Sequence, residues 1–191
     1  HMAGSVLTLT YNNFKITRLS DNKSILFNGT KTLTNVNGHN WLTFLAGTST
    51  FKYRSRAYNV NVTYNDGSTA VWNQTCITEW LYTPTGNHAP YLTFTSNGDS
   101  TVNSYSNSSM WGTNRYGEAF TTYYTTPIIS NTYCGLWRPN SGELIHHVNT
   151  SDFALTLGVD QSGNATTLNC AYGYKVSWTI NGNSNSVVLS Y

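Results

Sequence analysis

From Cys170 to Ile180 this chain alternates at every position. Cys170, Tyr172, Tyr174, Val176, Trp178 and Ile180 are large and apolar, while Ala171, Gly173, Lys175, Ser177 and Thr179 are small or polar. Successive side chains of a strand point to opposite faces, so period two over eleven residues specifies one greasy face and one wet one. At roughly 3.3 Å per residue such a strand runs about 36 Å, enough to cross a whole sandwich. The turn-rich Asn181-Gly182-Asn183-Ser184-Asn185 follows, and Val187, Leu189 and Tyr191 resume the alternation. The C-terminus therefore reads as a long β-hairpin.

The rest of the chain supports the same fold class. Charged residues make up 9% of the 191, and there are fourteen Tyr and a wealth of Thr, Ser, Asn and Gly. Ser, Thr and Asn compete for backbone hydrogen bonds and disfavour helices, whereas Thr and Tyr suit pleated surfaces. Short alternating segments recur at Val6–Tyr11, Ser24–Phe27, Thr32–Val36, Trp41–Ala46, Phe51–Tyr53 and Tyr58–Tyr64. Others follow at Ala70–Trp72, Cys76–Tyr82, Tyr91–Thr95, Ala119–Thr126, Ile128–Ile129 and Asp152–Val159. Asn12-Asn13 breaks the first segment. Asn28-Gly29, Asn37-Gly38, Asp66-Gly67, Pro84–Asn87, Asn97–Asp99 and Asp160–Asn164 supply turns. Ser100–Gly117 and Asn131–Gly142 read as long loops. The pattern predicts one all-β domain over 6–191, an antiparallel sandwich, with His1–Ser5 read as a cloning remnant.

The same features exclude several functions. A formal net charge of +2 is too weak to imply nucleic acid as a partner. No run of apolar residues reaches the roughly 18 of a membrane span, so no membrane insertion is expected. Cys76, Cys134 and Cys170 are odd in number and widely spaced, which predicts reduced thiols, with Cys170 a small core hydrophobe. Seven Asn-x-Ser/Thr triplets, at Asn22, Asn28, Asn61, Asn73, Asn107, Asn149 and Asn164, are what chance supplies in a chain of this composition. His146-His147 would face opposite ways in an extended segment and so cannot share an ion easily. No metal and no cofactor are expected. The eight carboxylates are scattered, and neither a nucleophile elbow nor a phosphate loop is present, so no enzymatic activity is expected unless a triad assembles in space.

Two groups of residues stand out as binding candidates. Lys52, Arg54 and Arg56 fall at i, i+2 and i+4, so a strand would set three cations on one face, with Tyr53 opposite. That face could meet an acidic ligand, or it could guard a sheet edge against aggregation. In the loop before Gly117, Trp111, Arg115 and Tyr116 are the residue types that dominate binding hot spots. Trp137-Arg138 in the following loop is a rival for the same role.

The C-terminal pattern also carries a family likeness. Ala171-Tyr172, four residues, Ser177-Trp178, a turn and a last strand ending Val188-Leu189-Ser190-Tyr191 resembles the end of adenovirus fibre head (knob) domains. Phe153–Val159, the Tyr64-Asn65-Asp66-Gly67 turn and Thr32–Ala46 are similar to segments of that family. A Thr-Leu-Trp-Thr junction with a fibre shaft is missing and Tyr191 closes the chain, which points to an avian or other non-mammalian fibre. The resemblance implies a homotrimeric two-sheet sandwich at the fibre tip on the virion surface, joined to a shaft upstream and assembled in the host nucleus. It implies attachment of the virion to a host cell-surface receptor, an immunoglobulin-type protein or a sialylated glycan. The competing readings are a carbohydrate-binding module or lectin domain of a larger adhesin or enzyme, and a hydrolase with a spatially assembled site.

Overall fold

A computed structural model of the chain describes residues 2–84, 90–166, 170–180 and 182–191. It is all-β and antiparallel. The strands are β1 (Val6–Thr17), β2 (Ser24–Asn35), β3 (Thr50–Tyr64), β4 (Thr69–Thr83), β5 (Tyr91–Gly98) and β6 (Ser100–Val102). They continue as β7 (Tyr105–Thr113), β8 (Ala119–Asn131), β9 (Ser141–Val148), β10 (Ser151–Val159), β11 (Gly173–Ile180) and β12 (Asn183–Ser190). A five-residue helix, α1 (Trp41–Leu45), sits between β2 and β3.

The hydrogen-bonded order follows the chain: β1-β2-β3-β4-β5-β8-β9-β10-β11-β12. β7 lies end to end with β5 in the slot between β4 and β8. β4 pairs β5 over Cys76–Thr83 and β7 over Val71–Gln74, and β8 pairs β7 over Ala119–Tyr123 and β5 over Ile128–Asn131. The β6–β7 hairpin is thus an excursion inserted into one long strand, and it leaves no room for a side chain where the pieces meet. A Cβ on Gly98 would stand 1.9 Å from the Asn107 carbonyl oxygen.

Register explains which residues share a face. Phe14, Phe27, Val62 and Ala70 are cross-strand partners on β1 to β4. Phe153, Trp178 and His146 are partners on β10, β11 and β9, as are Leu155, Val176 and Leu144. One face of the ladder therefore carries most of the apolar side chains, as the alternation requires, with polar interruptions such as His146. Its best-packed part is Ala57, Val60, Val62 and Ala70, flanked by Ile25, Phe27, Tyr64 and Trp72. Burial elsewhere is partial. The accessible surface is 11189 Å², whereas a compact monomer of 21.2 kDa exposes about 9,100 Å².

Strands β1 and β3, the neighbours of β2, bulge at one level. The register slips between Tyr11 and Phe14, between Asn28 and Thr30, and between Ala57 and Val60. At two of these slips a positive-φ asparagine has its N–H satisfied from the next strand. Asn13 donates to Asn28 Oδ1 at 2.8 Å and Asn59 donates to Asn73 Oδ1 at 2.9 Å. Aligned bulges bend a sheet, and this line curls the apolar face into a groove.

Several sequence expectations need correction. Asn28-Gly29 is not a hairpin turn, because β2 has partners on both sides straight through it, and two continuous ladders outweigh a local turn preference. Asn12-Asn13 likewise bulges β1 without ending it. Trp41–Ala46 is helical: Asn40 Oδ1 caps it by accepting from Thr43 N at 3.0 Å, and Trp41 stacks on Phe51. Ser100–Gly117 is not a loop but β6, β7 and a tight turn. Of the turn expected at Pro84–Asn87, residues 85–87 lie outside the described residues, as does Asn181 of the C-terminal turn. Strand β11 starts at Gly173, so Cys170 and Tyr172 lie outside it. Cys134 and Cys170 form a disulfide, 36 residues apart in sequence with Cα atoms 5.3 Å apart. The reduced-thiol expectation fails because sequence spacing is blind to loops that meet in space. Cys76 is free, and burial pushes its thiol pKa up.

Candidate binding surfaces

Trp111, Arg115 and Tyr116 do not form one patch. Trp111 projects from β7 and meets Tyr58 edge to face at 6.1 Å, while its carbonyl accepts from Asn73 Nδ2 at 3.3 Å. Arg115 and Tyr116 sit in the β7–β8 turn, which Asn114 shapes by accepting from Tyr116 N and Glu118 N at 2.9 and 3.0 Å. The Arg115 guanidinium lies 4.5 Å from the Tyr64 ring centre and is ion-paired with Asp66. Hydrogen bonds from Ser68, reinforced by Arg115, hold the Asp66 carboxyl below its ordinary pKa. Arg115 is thus engaged within the fold, and Tyr116, 79% exposed, is the group presented outward.

Lys52, Arg54 and Arg56 do share a face of β3, and each has a partner there. Lys52 Nζ lies 2.9 Å from Glu79 Oε2, and this contact lowers the Glu79 pKa. Arg54 and Arg56 both reach Asp99, which Thr75 Oγ1 also contacts at 3.4 Å. The Asp99 side chain is only 14% exposed, at the joint between β5 and β6. Three cations on two carboxylates leave a weakly charged surface. The edge-guard reading does not apply, since β3 is paired on both sides with β2 and β4.

The most exposed aromatic lies elsewhere. Trp137 is 89% exposed, at the tip of the 132–140 loop, with Leu136 and Tyr133 also accessible. The loop is anchored on both sides of its tip. Asn131 Oδ1 accepts from Cys134 N at 2.7 Å, Cys134 is bonded to Cys170, and Arg138 Nη2 donates to Ala171 O at 3.3 Å. Asn140 N donates to Ile129 O at 2.7 Å, and the Tyr191 hydroxyl donates to Pro139 O at 2.8 Å. A large, rigid and amphipathic ring held out on an anchored loop binds with little loss of conformational freedom. The sequence flagged Trp137-Arg138 as a rival site. What it lacked was the disulfide and the C-terminal tyrosine that brace the loop.

His146 and His147 face opposite sides of β9, as their adjacency requires. His146 Nδ1 is 2.8 Å from Thr122 Oγ1, against Phe120, and burial holds its pKa below the ordinary value. His147 Nδ1 is 2.6 Å from Asp152 Oδ1, beside Tyr105. Among the described residues no three His, Cys, Asp or Glu side chains gather into a metal-binding group. Comparison with family models, with curated proteins and with solved structures finds no match for this chain, so the fibre-head likeness rests on its sequence pattern alone.

Proposed function

We propose that this chain is a non-enzymatic attachment head, the receptor-binding tip of a viral fibre, acting as a homotrimer. The observation that carries the reading is Trp137, almost fully exposed on a loop fixed at the disulfide and at Pro139. Trp is among the residue types that dominate binding hot spots, and here it stands with exposed Leu136 and Tyr133 on the same loop. The surface area supports the assembly. An excess of about 2,000 Å² over a compact monomer is what a subunit of an obligate oligomer contributes to its interfaces. Three copies would also present the Trp137 loop three times, raising avidity by about 10² to 10⁴ over one site. The receptor classes to test are an immunoglobulin-type protein and a sialylated glycan. The alternative, a carbohydrate-binding module, draws on the same exposed rings, Trp137 and Tyr116, as platforms for sugar stacking.

The test is a pull-down from host-cell membranes with and without sialidase, using the wild type and Trp137→Ala. Trp137→Ala is expected to lose capture while keeping its oligomeric mass. Capture by the variant at wild-type level overturns the assignment of the loop, and a monomeric wild type overturns the attachment head.

A further inference from the structure

Beside the bulges in β1 and β3 lies an apolar groove of about 270 Å³ on the greasy face, walled by Phe14, Ile16, Phe27, Trp72 and Met110. One transverse row of the ladder crosses it: Lys31 on β2, Ala57 on β3, Gln74 on β4 and Met110 on β7 are consecutive register partners. Strands lie about 4.8 Å apart, so Lys31 and Gln74 stand roughly 10 Å from one another with a single methyl group between them. That methyl is the floor of the groove.

Lys31 is half-buried, and among the described residues it has neither a carboxylate partner nor a hydrogen-bond acceptor. The Gln74 amide is half-buried and makes no side-chain hydrogen bond there either. The contrast within the sheet is sharp, since Lys52, Arg54 and Arg56 all have carboxylates to meet. The Lys31 ammonium borders an apolar wall with no carboxylate opposite it, which leaves it available to an anion that enters the groove. A carboxylate there accepts from Lys31, with Gln74 donating a second hydrogen bond.

We infer that this groove binds a small amphipathic carboxylate, a fatty acid of medium chain length, with its headgroup on Lys31 and Gln74 and its chain along Phe14, Phe27 and Trp72. Charge complementarity selects the headgroup and volume selects the chain. The groove has about nine times the ~30 Å³ share of a liquid water molecule, which suits roughly eight to ten carbons. The inference is independent of the attachment reading and concerns a different face of the molecule from Trp137.

The experiment is calorimetric titration of the assembled protein with hexanoate, octanoate, decanoate and decanol, each kept below its micelle concentration. Saturable binding is expected for decanoate, strengthening about fourfold per methylene from hexanoate upward. Lys31→Gln is expected to weaken decanoate about tenfold or more while leaving decanol unchanged. Trp72→Phe is expected to remove the ligand-induced change in tryptophan fluorescence and to keep the fold. No saturable binding by the assembled protein, equal affinity for decanoate and decanol, or a Lys31→Gln variant as tight as wild type would each overturn the inference. Binding that emerges only when the protein is dissociated would show that a second copy occupies the groove, and would overturn it too.

Discussion

Replacing Cys134 and Cys170 together by serine removes a cross-link between two segments that the Arg138 to Ala171 hydrogen bond also joins. The bridge closes a loop of 36 residues. In the chain-entropy model that closure stabilises the fold by about 3.8 kcal/mol at 25 °C. For a chain of this size each kilocalorie moves Tm by about 2–4 °C, so the double variant is expected to melt about 8–15 °C below wild type. The assay is a pair of thermal and urea melts on wild type and variant, with a thiol titration of wild type in denaturant without reductant. One reactive thiol per chain is expected, from Cys76. Three thiols, or a double variant that melts with wild type, would refute the bridge and with it the rigidity argued for the Trp137 loop.

Other outcomes follow from the same geometry. Asp99→Ala strands Arg54 and Arg56 without their shared carboxylate. Breaking a fully buried pair costs 3–5 kcal/mol, and the partial exposure of both arginines reduces this to about 2 kcal/mol by urea melt; a neutral outcome would mean the cluster is solvent-screened. Asn73→Ala leaves the Asn59 N–H unmatched at the β3 bulge and is expected to cost about 1 kcal/mol, where Asn73→Asp costs less. Gly98→Ala places a Cβ inside van der Waals contact with the Asn107 backbone and is expected to abolish the β5–β7 joint, seen as loss of amide protection there. His146 has a folded pKa below its unfolded value of about 6.5, so the unfolded state takes up protons first and stability falls as pH drops below about 6.5. His146→Gln should flatten that limb of the pH–stability curve and leave the carboxylate limb at lower pH in place.

The strand content of this chain is written in its alternation, and that signal survives because each face of the ladder meets a different environment. Phe153, Leu155 and Leu157 against Trp178, Val176 and Tyr174 are the clearest instance. The turns at Asp66-Gly67 and Asp160–Asn164 were equally legible, since in both an aspartate side chain accepts backbone N–H groups within its own turn. What sequence could not show was anything decided between distant strands. Asn28-Gly29 carries a turn signal that neighbouring ladders override, and Asn40 caps a helix whose aromatic contacts come from Phe51 and Tyr82. Grouping Trp111 with Arg115 and Tyr116 assumed a loop where a strand runs: Arg115 and Tyr116 stay together in the turn, guanidinium 5.9 Å from the ring centre, while Trp111 on β7 meets Tyr58. The Trp137 loop was visible as exposed aromatic chemistry, but its rigidity depends on Cys170 and Tyr191, more than thirty residues downstream.

A homotrimeric head requires that the surface left open by one chain be covered by identical chains. Light scattering coupled to size exclusion measures this directly. The expected result is a stable particle of three times 21.2 kDa that persists on dilution. A monomer of 21.2 kDa at all concentrations would contradict it.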